Sequence, residues 1–454
     1  MNYLQPYTAA SADRTVLSAW DTQVAHAAEA PWLDRLLLDR GSEIFAEFTA
    51  RYNELRALPR SARRALQRSL ARSGDSATVP PEWRRKLAYS VAGAALLLAL
   101  GGVAHAGSMT VSPKTPPGIN ASDGKCSLIE AIVNANSHAT VHSNCPGATT
   151  GPNTINLPAG TQTLTTYYDS YYGYNTGLPL ITSIITIEGN SKAKIVRGKT
   201  APDFRHFAVA VGGDLTLNEV ALSGGSAYYG GAIFNRGSVT LNWCTVSGNF
   251  AARGGAIANY KGYLAINDNS ILSRNGALIG GAIYNRGGSS LGYGEVVLHD
   301  SLITGNKAFA GGGIFNAADT NEYADLFIYH STFSGNSAYY YGAGIYDYYG
   351  YTYLYNSLIT TNRAGRYGGG VFGKEGSYLK INRTTFSKNS AGIDGGGIFV
   401  IDSELRLTNS SVTGNKAGRY GGGVELILSL YSLSGNSVIK NKAGVAGSNY
   451  YIFP

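Results

Sequence analysis

The chain has 454 residues, 59 of them glycine and 32 tyrosine, and that glycine share is about twice the usual ~7%. Three cysteines exclude a disulfide-dense scaffold and any CxxC zinc or redox site, and 44% apolar against 15% charged residues excludes a disordered polyelectrolyte. The net charge of +8 divides into 13 Lys+Arg against 10 Asp+Glu over residues 1–106 and 24 against 19 beyond, too mild and too scattered for a nucleic-acid partner.

Residues 1–86 read as a helical extension on the cytoplasmic side, with helical apolar spacing over 30–38, 42–58 and 61–72. Arg84-Arg85-Lys86 then precedes 87–103, seventeen residues without a charge, and Ala104-His105-Ala106. A basic run, an apolar run and an A-x-A site make a secretory signal peptide. A signal-anchor helix is the rival, since seventeen residues is the short end of a membrane span. Either reading exports the rest, to the extracellular space or the cell surface or outer membrane, with 87–103 as the one membrane contact.

Residues 107–205 form an N-terminal cap and the first irregular coils. Ser127-Leu128-Ile129-Glu130 is a capping box opening a short amphipathic helix through Asn136. Strand-like runs follow at 154–157, 162–166 and 181–187, with a break at Glu188-Gly189-Asn190.

Residues 206–454 repeat. A G-[GA]-[AG]-[IV] element ends at Ile233, Ile257, Ile283, Ile314, Ile345, Val371, Ile398 and Val424. A second landmark falls at Asn249, Asn275, Asn306, Asn336, Asn362, Asn389, Asn415 and Asn441. Both keep a step near 26 residues, and two longer steps place loops at about 286–295 and 317–325. Three residues before each asparagine stands an apolar residue, and two after it an alanine, which predicts a tight bend. Short strands and glycine bends at this step mean one coil per repeat. The fold class is therefore all-β: a single-stranded, right-handed parallel β-helix, a solenoid, behind the helical extension and signal or anchor helix. The asparagines are expected to stack as a structural ladder with amide bonds from coil to coil.

Phe333-Ser-Gly-Asn336, Phe386-Ser-Lys-Asn389, Gly230-Gly-Ala-Ile233 and Gly280-Gly-Ala-Ile283 resemble the FxxN and GGAI elements of the polymorphic outer membrane protein repeat. Cys126-Ser-Leu-Ile-Glu-Ala131 resembles the CSLREA motif that opens many bacterial right-handed β-helix proteins, with Ile129 in place of its arginine. The resemblance implies an exported or surface-exposed β-helix, often an adhesin-like rod.

Extracellular β-helices also include polysaccharide lyases and glycosidases, which need clustered carboxylates with a basic residue nearby. Six residues before the ladder the column reads Trp243, Asn269, Asp300, His330, Asn356, Arg383, Asn409 and Gly435. Asp300, His330 and Arg383 are thus the best catalytic candidates, weak ones in a column that reads as a turn ladder. His206 and His299 read as ordinary strand or turn residues, and Cys244 as a small packed residue. No cofactor or metal is expected. Cys126 and Cys145 bracket the cap helix, and export permits their disulfide.

Two surface features could bind. Arg363, Arg366, Lys388, Lys416 and Arg419, with Lys440 and Lys442, recur around one turn and suit an acidic glycan or anionic surface. Tyr339, Tyr340 and Tyr341, with Tyr349 and Tyr351 in the run from 346 to 355, form an aromatic patch suited to sugar or a surface protein. The final Tyr450-Tyr451-Ile452-Phe453-Pro454 has no charged cap and no translocator after it, which predicts end-to-end self-association there. The function expected is a non-catalytic, exported rod for surface display, adhesion or binding, with a carbohydrate-active enzyme as the alternative.

Overall fold

The computed structural model describes residues 107–454, apart from 114, 121, 150, 151, 289–293 and 319–323, together with Phe48, Tyr52 and Leu96. The expected helical extension over 1–86 and the signal or anchor segment over 87–106 lie outside the described residues, save those three, which are helical. Among the described residues no helix is long and apolar enough to cross a membrane.

Period-2 runs of β-branched and apolar residues between glycine corners dictate short strands that bury one face. The strands stack in register from coil to coil into three parallel sheets of 21, ten and nine strands. One coil shows the pattern. Ile233–Asn235 lies in the ten-stranded sheet. Ser238–Asn242 and Thr245–Ser247 are two legs of the broad 21-stranded sheet, either side of a bend. Phe250–Arg253 lies in the nine-stranded sheet, and Ile257 opens the next coil. The landmark Ile/Val residues and the apolar column three before the ladder all fall in one continuous core. The alanine column lies on the short strands just after a corner, not in a bend. Ala338, Ala364, Ala391, Ala417 and Ala443 pair in register there.

The corners explain the glycines. Gly254 sits at φ +68°, and a Cβ on it would lie 2.1 Å from the Ile257 carbonyl oxygen. A Cβ on Gly255 would meet the Gly281 carbonyl of the next coil at 2.3 Å. The first glycine of the pair thus serves its own turn and the second the approach of its neighbour.

Two polar ladders run through this apolar rod. In the first, each Oδ1 from Asn275 to Asn441 accepts both the backbone N–H and the Nδ2 of the asparagine one coil earlier, at 2.9–3.0 Å. The second lies two residues after the landmark Ile. Asn235, Asn259, Asn285 and Asn316 donate in sequence down the coils at 2.7–3.2 Å, ending on the Asp347 carboxylate. Asp347 also accepts from Gly350 N and Thr352 Oγ1. Its full burial pushes its pKa up to about 6, against those hydrogen bonds. Beyond it the column turns apolar, through Gly373 to Val400 and Leu426.

At the first coils, helix α1 (Leu128–Ser137) carries the expected capping box, with Ser127 and Glu130 each bonding the other's backbone N–H. It buries Leu128, Ile129, Ala131, Ile132 and Ala135 in the core. Ile129 is thereby an apolar contact. Cys126 and Cys145 are joined by a disulfide across α1. The expected break at Glu188-Gly189-Asn190 is a bend, with Asn190 and Ser191 at φ of 48° and 59°. Within Ile184–Arg197 it divides two legs, 185–188 and 193–197, that pair with different strands, with a register shift between Glu188 and Ala193.

Candidate functional site

The outer face of the broad sheet is a grid fixed by register, because successive residues alternate between core and solvent. Glu295, Asp325, Tyr351, Tyr378 and Glu404 form one row along the axis. Val297, Phe327, Tyr353, Lys380 and Arg406 form the next. His299, Tyr329, Tyr355, Asn382 and Thr408 form the third.

The rings hold each other. Phe327 and Tyr353 stack at 4.9 Å, Tyr329 and Tyr355 at 5.5 Å. Arg406 lies 5.4 Å over the Tyr378 ring and bonds Glu404 at 2.7 Å. Because neighbouring coils take up the ring faces, the surface offers ring edges and phenolic hydroxyls among carboxylates. Burial, with Glu295 adding to it, raises the Asp325 pKa to about 6. Burial likewise raises Tyr353, with Asp325 contributing. At one end of the first row, Tyr351, Tyr378, Asp402, Glu404, Leu430 and Pro454 are among the residues lining a pocket of about 600 Å³.

Glu295 and Asp325 were missed in the sequence because they follow the two longer steps and read as loop ends. Each nevertheless stands eleven residues before a ladder asparagine, as do Tyr351, Tyr378 and Glu404. Counting back from the ladder would have found the row.

Asp300, His330 and Arg383 occupy the bend between the two legs of the broad sheet. All eight residues of their column, from Trp243 to Gly435, have positive φ, which explains its asparagines and glycine. Asp300 Oδ2 bonds Nδ1 of His299 at 2.6 Å, and the His299 ring lies 5.6 Å from that of His330. His299 therefore has a partner. Arg383 lies two coils from His330, with Asn356 between, and is not brought into that group. His206 is buried against Ser223 O, and burial lowers its pKa to about 4. Cys244 is buried and free, and its thiol is pushed up to about 12 by burial.

The tyrosine patch is divided between faces. Tyr351 belongs to the grid, and Tyr349 lies on the corner before it with φ 58°. Tyr346 packs in an outer aromatic column of the ten-stranded sheet with Phe372 and Phe399, and Tyr341 stacks on Tyr367 beside it. Tyr339 and Tyr340 lie on the nine-stranded sheet, Tyr339 65% exposed. Of the cations, Arg363, Lys388 and Lys416 are exposed along the corner between the broad and nine-stranded sheets. Arg366 lies 5.0 Å over the Tyr340 ring, and Arg419 is held by buried Asp394 at 2.6 Å. Tyr450–Phe453 ends the ten-stranded sheet, with Phe453 exposed. Among the described residues no group of three His, Cys, Asp or Glu could hold a metal ion.

The right handed beta helix region family matches residues 315–449. No curated protein matches the sequence. Among solved structures, PfbA, a surface adhesin of Streptococcus pneumoniae, is 14% identical and covers 72% of this chain and 88% of its own, with a TM-score of 0.38. The catalytic domain of a GH87 alpha-1,3-glucanase is 12% identical and covers 75% of this chain and 70% of its own, at 0.32. Neither likeness bears on function at these scores. The right-handed parallel β-helix rests on the family match and the stacked coils.

Proposed function

We propose that the chain is an exported, non-catalytic β-helix that acts by binding, as an adhesin-like or surface-display rod. Its broad-sheet face takes a polyhydroxylated partner, a glycan. The observation that carries this reading is the grid of stacked rings and carboxylates on adjacent coils. Rings locked by their neighbours lose little freedom on binding. Phenols and carboxylates at strand spacing offer a sugar chain a repeating set of donors and acceptors. Export is supported by the Cys126–Cys145 disulfide and by the resemblance to CSLREA-type and polymorphic outer membrane protein repeats.

A glycan array probed with the protein is the test. Tyr353→Phe and Asp325→Asn each remove one hydrogen-bonding function and should weaken the best ligand about tenfold, at ~1.4 kcal/mol each. Unchanged binding by both variants would remove this face from the account.

A second reading has one specific support. Asp325, raised to about 6, is paired in register with Glu295, and a pair of neighbouring carboxyls is what acid–base cleavage of a glycosidic bond requires.

A further inference from the structure

Two columns flank the buried asparagine ladder on the corner between the broad and nine-stranded sheets, one residue before it and one after. From Asn275 to Asn441 they carry Arg274, Lys307, Arg363, Lys388, Lys416, Lys440 and Lys442, and no carboxylate. All seven are exposed. The amides beneath them are neutral, so nothing below offsets the charge. Among the described residues none of the seven is in an ion pair, whereas Arg419 on the same coils is neutralised by Asp394.

The fold does not ask for these cations. Arg274, Lys388 and Lys440 have φ of 54°, 56° and 58°, at a corner where other coils place Gly248, Gly305, Gly335, Thr361 and Gly414. A long L side chain is strained there. Lys416 and Lys442 face each other directly across adjacent strands, an arrangement in which like charges repel. Strain and repulsion retained together on one line point to a use for the charge.

We infer that this corner binds an anionic linear polysaccharide lying along the rod axis. Six steps of ~4.8 Å make the line about 29 Å long, with a cation on every coil except that of Asn336. A linear polymer with charge at regular intervals matches that layout. Beside the line, the column that carries Leu278, Phe309 and Tyr339 continues as Gly365, Gly392, Gly418 and Gly444. Its second half is thus a bare backbone floor edged by cations, with no ring on which a nucleic-acid base could stack. The preference for polysaccharide over duplex nucleic acid also rests on the exported location proposed above.

The test measures binding of the full chain to polygalacturonate, chondroitin sulfate, duplex DNA and phosphatidylglycerol vesicles. The two polysaccharides should bind at about 50 mM salt and weaken at least about tenfold at 500 mM, as surface charges are screened. K388E/K416E/K442E should lose about tenfold or more in affinity. Lys388→Gly relieves the corner, so it should melt higher than the parent and yet bind several-fold more weakly. That opposite movement separates a binding role from a structural one, even where the triple variant folds poorly. Tyr353→Phe, on the broad-sheet face, should leave this binding unchanged. The inference is overturned if Lys388→Gly binds like the parent, if Tyr353→Phe weakens binding equally, or if vesicles or DNA bind more tightly than both polysaccharides.

Discussion

Replacing Asn362 by leucine is expected to destabilise the rod by about 4 kcal/mol, read as the shift of its denaturation midpoint. Asn362 is fully buried. Its Oδ1 accepts Asn336 N and Nδ2, and its Nδ2 donates to Phe333 O and to Asn389 Oδ1, all at 3.0 Å. Leucine has nearly the same size and none of these functions. It would leave a backbone N–H and a backbone carbonyl unpaired where water cannot reach them, at roughly 1–3 kcal/mol each. Because each coil contacts only its neighbours, the damage should open the rod locally rather than spread evenly. Hydrogen exchange should therefore rise first at the Asn336 amide, which loses its acceptor. A variant that denatures like the parent would mean that the ladder contributes nothing net.

The second large effect is in pH. Glu425 is fully buried. It stands in the outer aromatic column of the ten-stranded sheet, paired in register with Phe399 on one side and Tyr451 on the other. Burial pushes its pKa up to about 8, with Asp394 adding and the Gly395 backbone and Arg419 opposing. The folded state therefore holds a proton that the unfolded chain, titrating near ~4.3, has released. The stability this proton provides is complete below the unfolded value and is lost as pH rises through about 8. Asp325 and Asp347, raised to about 6, act in the same direction but lower down. Buried His206, lowered to about 4, acts oppositely, its contribution falling away as pH drops below ~6.5. Between pH 6.5 and 8 Glu425 should dominate, and stability should fall by about 1–2 kcal/mol. Glu425→Gln should flatten that interval. A melting temperature that rises across it in the parent would contradict the assignment.

The ladder was legible because every coil must place an asparagine at one point to satisfy the same backbone groups, so composition and step repeat together. The cap helix was legible from Ser127 and Glu130, whose reciprocal bonds need only local spacing. The second ladder was present in the same way, two residues after each landmark Ile, but it stops at Asp347 and gives way to Gly373, so no column runs the full length. The tyrosines could not be apportioned. A period-2 run shows that Tyr351 and Tyr353 face outward, and the regular step of 26 residues sets Tyr353 beside Phe327, yet neither gives the ring orientation by which the two stack. His299 and Asp300 are neighbours in sequence, and only the left-handed bend turns their side chains toward each other.

Binding without turnover is the central claim, and product analysis during saturating binding tests it most directly. The protein should be incubated at pH 5–6 with its best array ligand and with a panel of neutral and acidic polysaccharides. The account predicts a stable complex from which the glycan is recovered at its original length. Release of new reducing or unsaturated ends by the parent, lost in both Asp325→Asn and Glu295→Gln, would contradict it and make the carboxylate pair an active site.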